Sequence, residues 1–229
     1  MPEKTTNRVA VIIPAYNEEP RIAKVLDAAV RCTLADEIVV VCDGSTDHTA
    51  EVASLFDKVK VVELPRNVGK GGAMAVGVAH TDCDILAFCD ADLLGLRPEH
   101  FDRIITPILL GTCDMSIGVF RGGKFLSDTA QVISPYISGQ RALRRSFFLS
   151  IPYLSEMRLG VEVTINTFAK RQKLRVQRVI LPGVSNTFKE KKLGIVKGAA
   201  SRAKMYAEIG RAMVRLRRKK EGKRHARFR

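Results

Sequence analysis

The sequence predicts an α/β domain on a doubly wound sheet, and three observations carry that expectation. Between residues 8 and 119, β-branched apolar runs alternate with helical patterns as successive strand–helix units. Polar motifs follow those runs, at the strand ends where open α/β sheets bind their ligands. No apolar run approaches the roughly 18 residues needed to cross a bilayer, so a membrane-spanning architecture is not expected.

The elements follow in order. Residues 8–13 (RVAVII) read as a buried strand stopped by Pro14. Asn17 is a candidate cap for a helix over 18–31, with Ile22, Val25, Leu26 and Ala29 on one face. Residues 37–42 (EIVVVC) form the second strand. D-G-S-T-D at 43–47 turns the chain into a helix with Val52 and Leu55 inward. Residues 58–64 make a third strand, and the glycine-rich turn 67–72 leads a small-residue helix ending near His80. Residues 85–89 (ILAFC) are a buried strand running into Asp90 and Asp92. Pro98 suits the first turn of a helix to residue 110, and 114–119 is the next strand.

The second half is less regular. Residues 121–135 read as an exposed, mobile loop, and S-G-Q-R at 138–141 leads a helix through Phe148. A helix is expected around G-V-E-V at 160–163, and 174–181 alternates like a strand with one wet face. Residues 195–216 are a basic amphipathic helix candidate, and 217–229 read as disordered.

Charge divides the chain in the same place. The formal net charge is +14, yet residues 1–188 hold 22 basic and 21 acidic side chains. Residues 189–229 hold 16 basic and 3 acidic ones, so the positive charge belongs to the tail. The expected organisation is a catalytic domain over 1–188 and a basic, partly helical tail over 189–229. Such a tail fits an anionic membrane surface, nucleic acid or simple solubility. The five cysteines are odd in number and lack a Cys-x-x-Cys pair, so reduced, buried thiols in a cytosolic protein are expected. The first residues, M-P-E-K, carry no signal-peptide apolar core.

The strand-end motifs carry the chemistry. A carboxylate at the end of a buried strand is costly to desolvate unless it meets a partner. Asp90 and Asp92, one residue apart, offer hard oxygen ligands suited to Mg²⁺ or Mn²⁺ with a substrate phosphate. The bland alternative is a turn cap and an arginine partner. Asp43 can accept hydrogen bonds from a base or ribose, or simply form an Asp-Gly turn. Pro14 and Tyr16 can line a base pocket, and Glu18 can equally be a first-turn acid favoured by the helix dipole. The turn at 67–72 lacks Walker spacing; Lys70 can meet a diphosphate, or the glycines can serve close packing. Glu162, in an apolar context, is either a general base or an arginine partner.

Together P-A-Y-N-E at 14–18, D-G-S-T-D at 43–47, N-x-G-K-G-G-A at 67–73, D-A-D at 90–92 and S-G-Q-R-A-L-R-R at 138–145 resemble the family 2 glycosyltransferases. The resemblance is nearest the dolichyl-phosphate mannose synthase-like branch and covers about residues 8–185. It implies the GT-A nucleotide-diphospho-sugar transferase fold, a Rossmann-like doubly wound mixed sheet. It implies nucleotide-sugar contacts from Pro14, Ala15, Tyr16, Glu18, Asp43, Lys70, Asp90 and Ala91, with Asp90 and Asp92 as metal ligands. Ser138 and Arg141 would lie on the acceptor side, and Asp92, Glu162 and Arg141 would carry catalysis.

The implied reaction moves a hexose from a GDP- or UDP-sugar to an acceptor, foremost a polyprenyl phosphate, with Mg²⁺ or Mn²⁺. A soluble hydroxyl acceptor is the alternative; a nucleotidyltransferase or a non-catalytic sugar-nucleotide binder are alternatives of another class. The expected location is cytoplasmic and peripheral on the inner face of the plasma membrane, through the tail, with no nucleic-acid partner. Two departures stand out. Cys42-Asp43 replaces an acidic pair common in the family. Leu93-Leu94 stands where polyprenyl-phosphate mannose synthases often have a glutamine, so no further ligand is expected there.

Overall fold

The computed structural model describes residues 7–121, 138–157 and 160–186. The expected loop at 121–135 falls outside these residues after Arg121, and both tail elements do so entirely. Among the described residues no helix is long and apolar enough to cross a membrane.

A seven-stranded mixed sheet forms the centre. Its first strands are β1 (Val9–Ala15), β2 (Glu37–Cys42), β3 (Val59–Glu63) and β4 (Ile85–Phe88). A two-residue strand β5 (Leu93–Leu94) follows, then β6 (Met115–Arg121), β7 (Arg141–Arg144), β8 (Val176–Pro182) and β9 (Ser185–Asn186). The sheet order is β3-β2-β1-β4-β7-β6-β8, and β5 pairs separately with β9. Strand β7 is antiparallel to both its neighbours, whereas the other neighbouring pairs are parallel. The doubly wound mixed sheet implied by the motifs is therefore present.

Helices cover both faces because the central strands are apolar on both sides. Val9, Val11 and Ile13 of β1 face a core shared with α1 (Glu19–Val30), α2 (Thr49–Ser54) and α4 (Pro98–Leu109). Ala10 and Ile12 face the other core, with α3 (Lys70–Ala79), α5 (Arg145–Ser150) and α6 (Val161–Arg171). That is the period-two alternation of a strand buried twice over. Helix α3 lies close to the sheet because Gly77 has no side chain; a Cβ there would sit 2.5 Å from Ile12 Cγ2. Ile12→Ala would open a cavity between α3 and the sheet and cost about 2–5 kcal/mol.

Several local expectations are corrected. Residues 141–144 form a strand, not the start of a helix; the helix begins at Arg145. The short R-A-L-R run completes the sheet between β4 and β6, and tertiary pairing overrides its helical propensity. Asn17 does not cap α1. It adopts φ 54°, and its side chain turns to another loop. Leu55 lies beyond α2 and is 80% exposed, while Ala50 and Ala53 face inward. All five cysteines are free and buried, as expected of reduced thiols.

Candidate active site at the carboxyl edge of the sheet

Strands β1, β2 and β4 end on one edge, and there the segments after them meet. Because β7 runs the other way, the residues before it, Ser138 to Gln140, arrive at that same edge. So does the start of α6, which carries Glu162.

The loops after β1 and β2 are tied to each other. The Thr46 amide donates to Asn17 Oδ1 at 2.8 Å, and the Asn17 amide donates to the Ser45 hydroxyl at 3.2 Å. The Glu18 amide donates to Thr49 Oγ1 at 2.9 Å, and the Glu19 amide to Asp47 Oδ2 at 3.2 Å. Burial alone would raise the Asp47 pKa, but hydrogen bonds from Thr49 and the Glu19 amide outweigh it and hold the carboxyl below its usual value. Much of P-A-Y-N-E and D-G-S-T-D is thus spent holding two loops in one shape. Glu18 precedes the first turn of α1 and forms an ion pair with Arg21 at 2.6 Å. Tyr16 is 47% exposed, so its ring faces outward at the strand end.

Asp43 is buried and holds a third loop. Its carboxylate accepts the Val68 amide at 2.7 Å and the Gly69 amide at 2.9 Å. Gly44 follows at φ +67°, and a Cβ there would meet the Arg66 carbonyl carbon at 2.5 Å. The turn therefore needs glycine twice, for conformation and for space. The amides that give the 67–72 turn its anion-binding look are in part already taken by Asp43. Its glycines serve packing: a Cβ on Gly71 would lie 2.3 Å from the Leu154 carbonyl oxygen.

The clamp sets Lys70 at the start of α3. Its ammonium donates to Asp90 Oδ1 and to Glu162 Oε1, each at 2.5 Å. Burial would lower the Lys70 pKa, but the Asp90 and Glu162 carboxylates outweigh it and hold the group well above its ordinary value. Glu162 is 8% exposed and finds its counter-ion in Lys70. Arg141 reaches only the Glu162 backbone carbonyl, at 3.4 Å. Of the two arginines considered for the Glu162 carboxylate, Arg141 meets the backbone instead and Arg158 lies outside the described residues; the carboxylate pairs with Lys70, 92 residues away in sequence.

Asp90 is held from three sides. Lys70 takes one oxygen, the Gln140 amide nitrogen donates to the other at 3.0 Å, and Gly139 passes beneath. Asp92 is half-buried one residue past the buried Ala91. Ala91 is 3% exposed, and its methyl carries no polar group. Among the described residues no three His, Cys, Asp or Glu side chains gather closely enough to enclose a metal ion. Such a donor set fits Mg²⁺ or Mn²⁺ brought with a diphosphate, since these ions keep waters and use one or two carboxylates beside substrate phosphates.

Ser138 and Arg141, expected on the acceptor side, lie deep in the fold. Both are buried, Arg141 at 0% exposure and Ser138 at 7%. The Arg141 guanidinium donates to the Ser138 carbonyl at 2.5 Å and to Asn166 Oδ1 at 3.1 Å. Ser138 Oγ lies 2.5 Å from the Gly118 carbonyl. Both side chains brace the entry to β7. Sequence reasoning missed Gln140 and Asn166; the reversed strand that brings Gln140 to the edge had no local signal.

A cleft of about 540 Å³ opens at the opposite edge beside Arg8, Glu37, Lys60 and His80. Its charges already pair locally: Arg8 with Glu37 at 2.6 Å, and Lys60 with the His80 carbonyl at 2.9 Å. It brings together no strand-end carboxylates.

Comparison with known proteins identifies the family. Residues 10–163 match the Glycosyl transferase family 2 profile. A dolichyl-phosphate beta-glucosyltransferase of Mus musculus is 37% identical over 105 residues, 39% of this chain and 32% of that protein. A glucosyl-3-phosphoglycerate synthase of Mycobacterium tuberculosis is 28% identical over 203 residues, 72% of this chain and 62% of that protein. The matches thus span from about a third to three fifths of these relatives' own lengths. A crystal structure of the mycobacterial synthase with Mn²⁺, UDP-glucose and phosphoglyceric acid superposes with a TM-score of 0.73. The two are 25% identical, with 91% of this chain and 80% of that one covered.

Proposed function

The chain belongs to glycosyl transferase family 2, and from that premise we propose that it transfers a hexose from UDP-sugar to a phosphate-bearing acceptor, foremost a polyprenyl phosphate. One observation carries the reading: Lys70 joins Asp90 to Glu162 at the carboxyl edge of a family 2 sheet, with Asp43 and Asp92 along the same edge. UDP is preferred over GDP because structures of the mycobacterial relative hold UDP or UDP-glucose with Mn²⁺ or Mg²⁺. The polyprenyl acceptor is supported by the likeness to dolichyl-phosphate glucosyltransferases and by the basic tail.

In this reading Pro14, Tyr16 and the Asn17–Thr46 tie shape the nucleoside end. Asp43 fixes the turn that aims Lys70. Asp92, with Asp90 beside it, would hold a divalent ion on the diphosphate. When bound, that ion would offset negative charge growing on the leaving diphosphate. Lys70 brings a fixed cation to the same place. A phosphate acceptor is already ionised and needs no general base; Glu162 then acts by holding Lys70 in place.

A second reading has its own support. The solved structure that covers 91% of this chain holds phosphoglyceric acid, so a soluble phosphorylated acceptor is the alternative. Residues 1–188 would be catalytic and 189–229 would bind anionic membranes, each surface lysine or arginine contributing about 1 kcal/mol. The test is hydrolysis and transfer with UDP-glucose and GDP-mannose in Mn²⁺, with undecaprenyl phosphate or 3-phosphoglycerate added. Transfer to the lipid alone supports the first reading, transfer to phosphoglycerate the second. No donor turnover under any condition would overturn both.

A further inference from the structure

We propose that Gln140 is a positioning residue that orients the Asp90 carboxylate toward the nucleotide sugar. The inference rests on the UDP-sugar reading above and deepens it.

The geometry around Asp90 is fuller than a strand-end carboxylate needs. Lys70 satisfies Oδ1 at 2.5 Å. A lysine is a point charge on a flexible stem, so it fixes distance better than it fixes the plane of the carboxylate. The planar amide of Gln140 supplies what lysine does not, with Nε2 donating to Asp90 Oδ2 at 3.0 Å. A carboxylate only accepts, so the amide nitrogen must be the atom facing it.

Gln140 is itself well held. It is 1% exposed, and its backbone carbonyl accepts the Gly118 amide at 2.8 Å. Its Oε1 lies 3.0 Å from the Ser138 hydroxyl. Below Asp90 runs Gly139, where a Cβ would sit 2.4 Å from each carboxylate oxygen. The segment before β7 thus grips the carboxylate with an amide and makes room for it with a missing side chain. An apolar residue at 140 would fill the same space and remove this hydrogen bond from Asp90. Burying a glutamine at this point has no packing advantage that Met would not match.

The test is calorimetric titration of the full chain with UDP in Mn²⁺. Gln140→Met is expected to weaken UDP about tenfold, the scale of one hydrogen bond to a charged group. In an Asp90→Ala background the same change should alter affinity less than about twofold, since the group it acts through is gone. A merely structural role would give equal losses in both backgrounds, and that result overturns the inference. Gly139→Ala offers a second route: it presses on Asp90 without removing a polar group and should also weaken UDP. Unchanged affinity in both Gln140→Met and Gly139→Ala, with wild type binding normally, likewise overturns it. A wild-type chain that binds no UDP overturns the donor reading, and this inference with it.

Discussion

The two edges of the sheet use charge differently. At the amino edge, Arg8 pairs with Glu37 at 2.6 Å, and their side chains are 53% and 29% exposed. Glu37 also meets Thr81 there, and both charges stay open to solvent. At the carboxyl edge, Asp43, Asp90 and Glu162 each hold a group from another segment, out of reach of most solvent. Lys70 joins the end of β4 to the start of α6. A surface pair is a minor contribution to stability, whereas a half-buried charge shared by two carboxylates cannot be removed without stranding both. Similar residue types thus decorate one edge and hold the other together.

Substitutions can break that contrast, and the largest effect belongs to Asp92. Asp92→Ala should lower donor turnover at least about 100-fold while melting temperature stays near wild type; a steady-state assay beside a thermal melt checks both. Retained metal-dependent turnover would remove Asp92 from the site. Lys70→Met comes next, because it strands two carboxylates. It should cost about 3–5 kcal/mol in urea unfolding. A cost below about 1 kcal/mol would make this edge no different from the other.

Asp43→Asn keeps the shape but leaves one oxygen for two amides. Denaturation should show a loss of about 1–3 kcal/mol.

His100 sharpens the comparison through pH. It is 1% exposed, and its Nδ1 accepts the Arg97 amide at 3.0 Å, which requires the neutral ring. Burial pushes its pKa below the ordinary value, with Arg97 adding to that. The unfolded chain therefore takes up this proton first. The contribution is complete above the unfolded pKa, about 6.5, and is lost as pH falls through the lower folded value. Melting temperature should decline on that acid side, and His100→Gln should flatten this part of the profile. The smallest effect is expected at the amino edge, where Arg8→Ala should cost less than about 1 kcal/mol by the same denaturation.

Much of this was legible in the order of residues. Val9 to Ile13, Ile38 to Val41 and Ile85 to Phe88 are apolar on both faces, and only a sheet covered on both sides buries such strands. Strand ends then put Asp43, Asp90 and Asp92 on one edge, because parallel strands all finish there. These are local patterns, and local physics determines them.

Only the tertiary structure decided who partners whom. Residues 141–144 became a strand because β4 and β6 had unpaired backbone to offer, a fact no window of sequence contains. That reversal buried Arg141 and Ser138, which had read as acceptor contacts, and delivered Gln140 to Asp90. Lys70 meets Glu162 across 92 residues for the same reason. Hydrogen bonds and ion pairs depend on atoms a few ångströms apart, and it is the packing of whole elements that sets those distances.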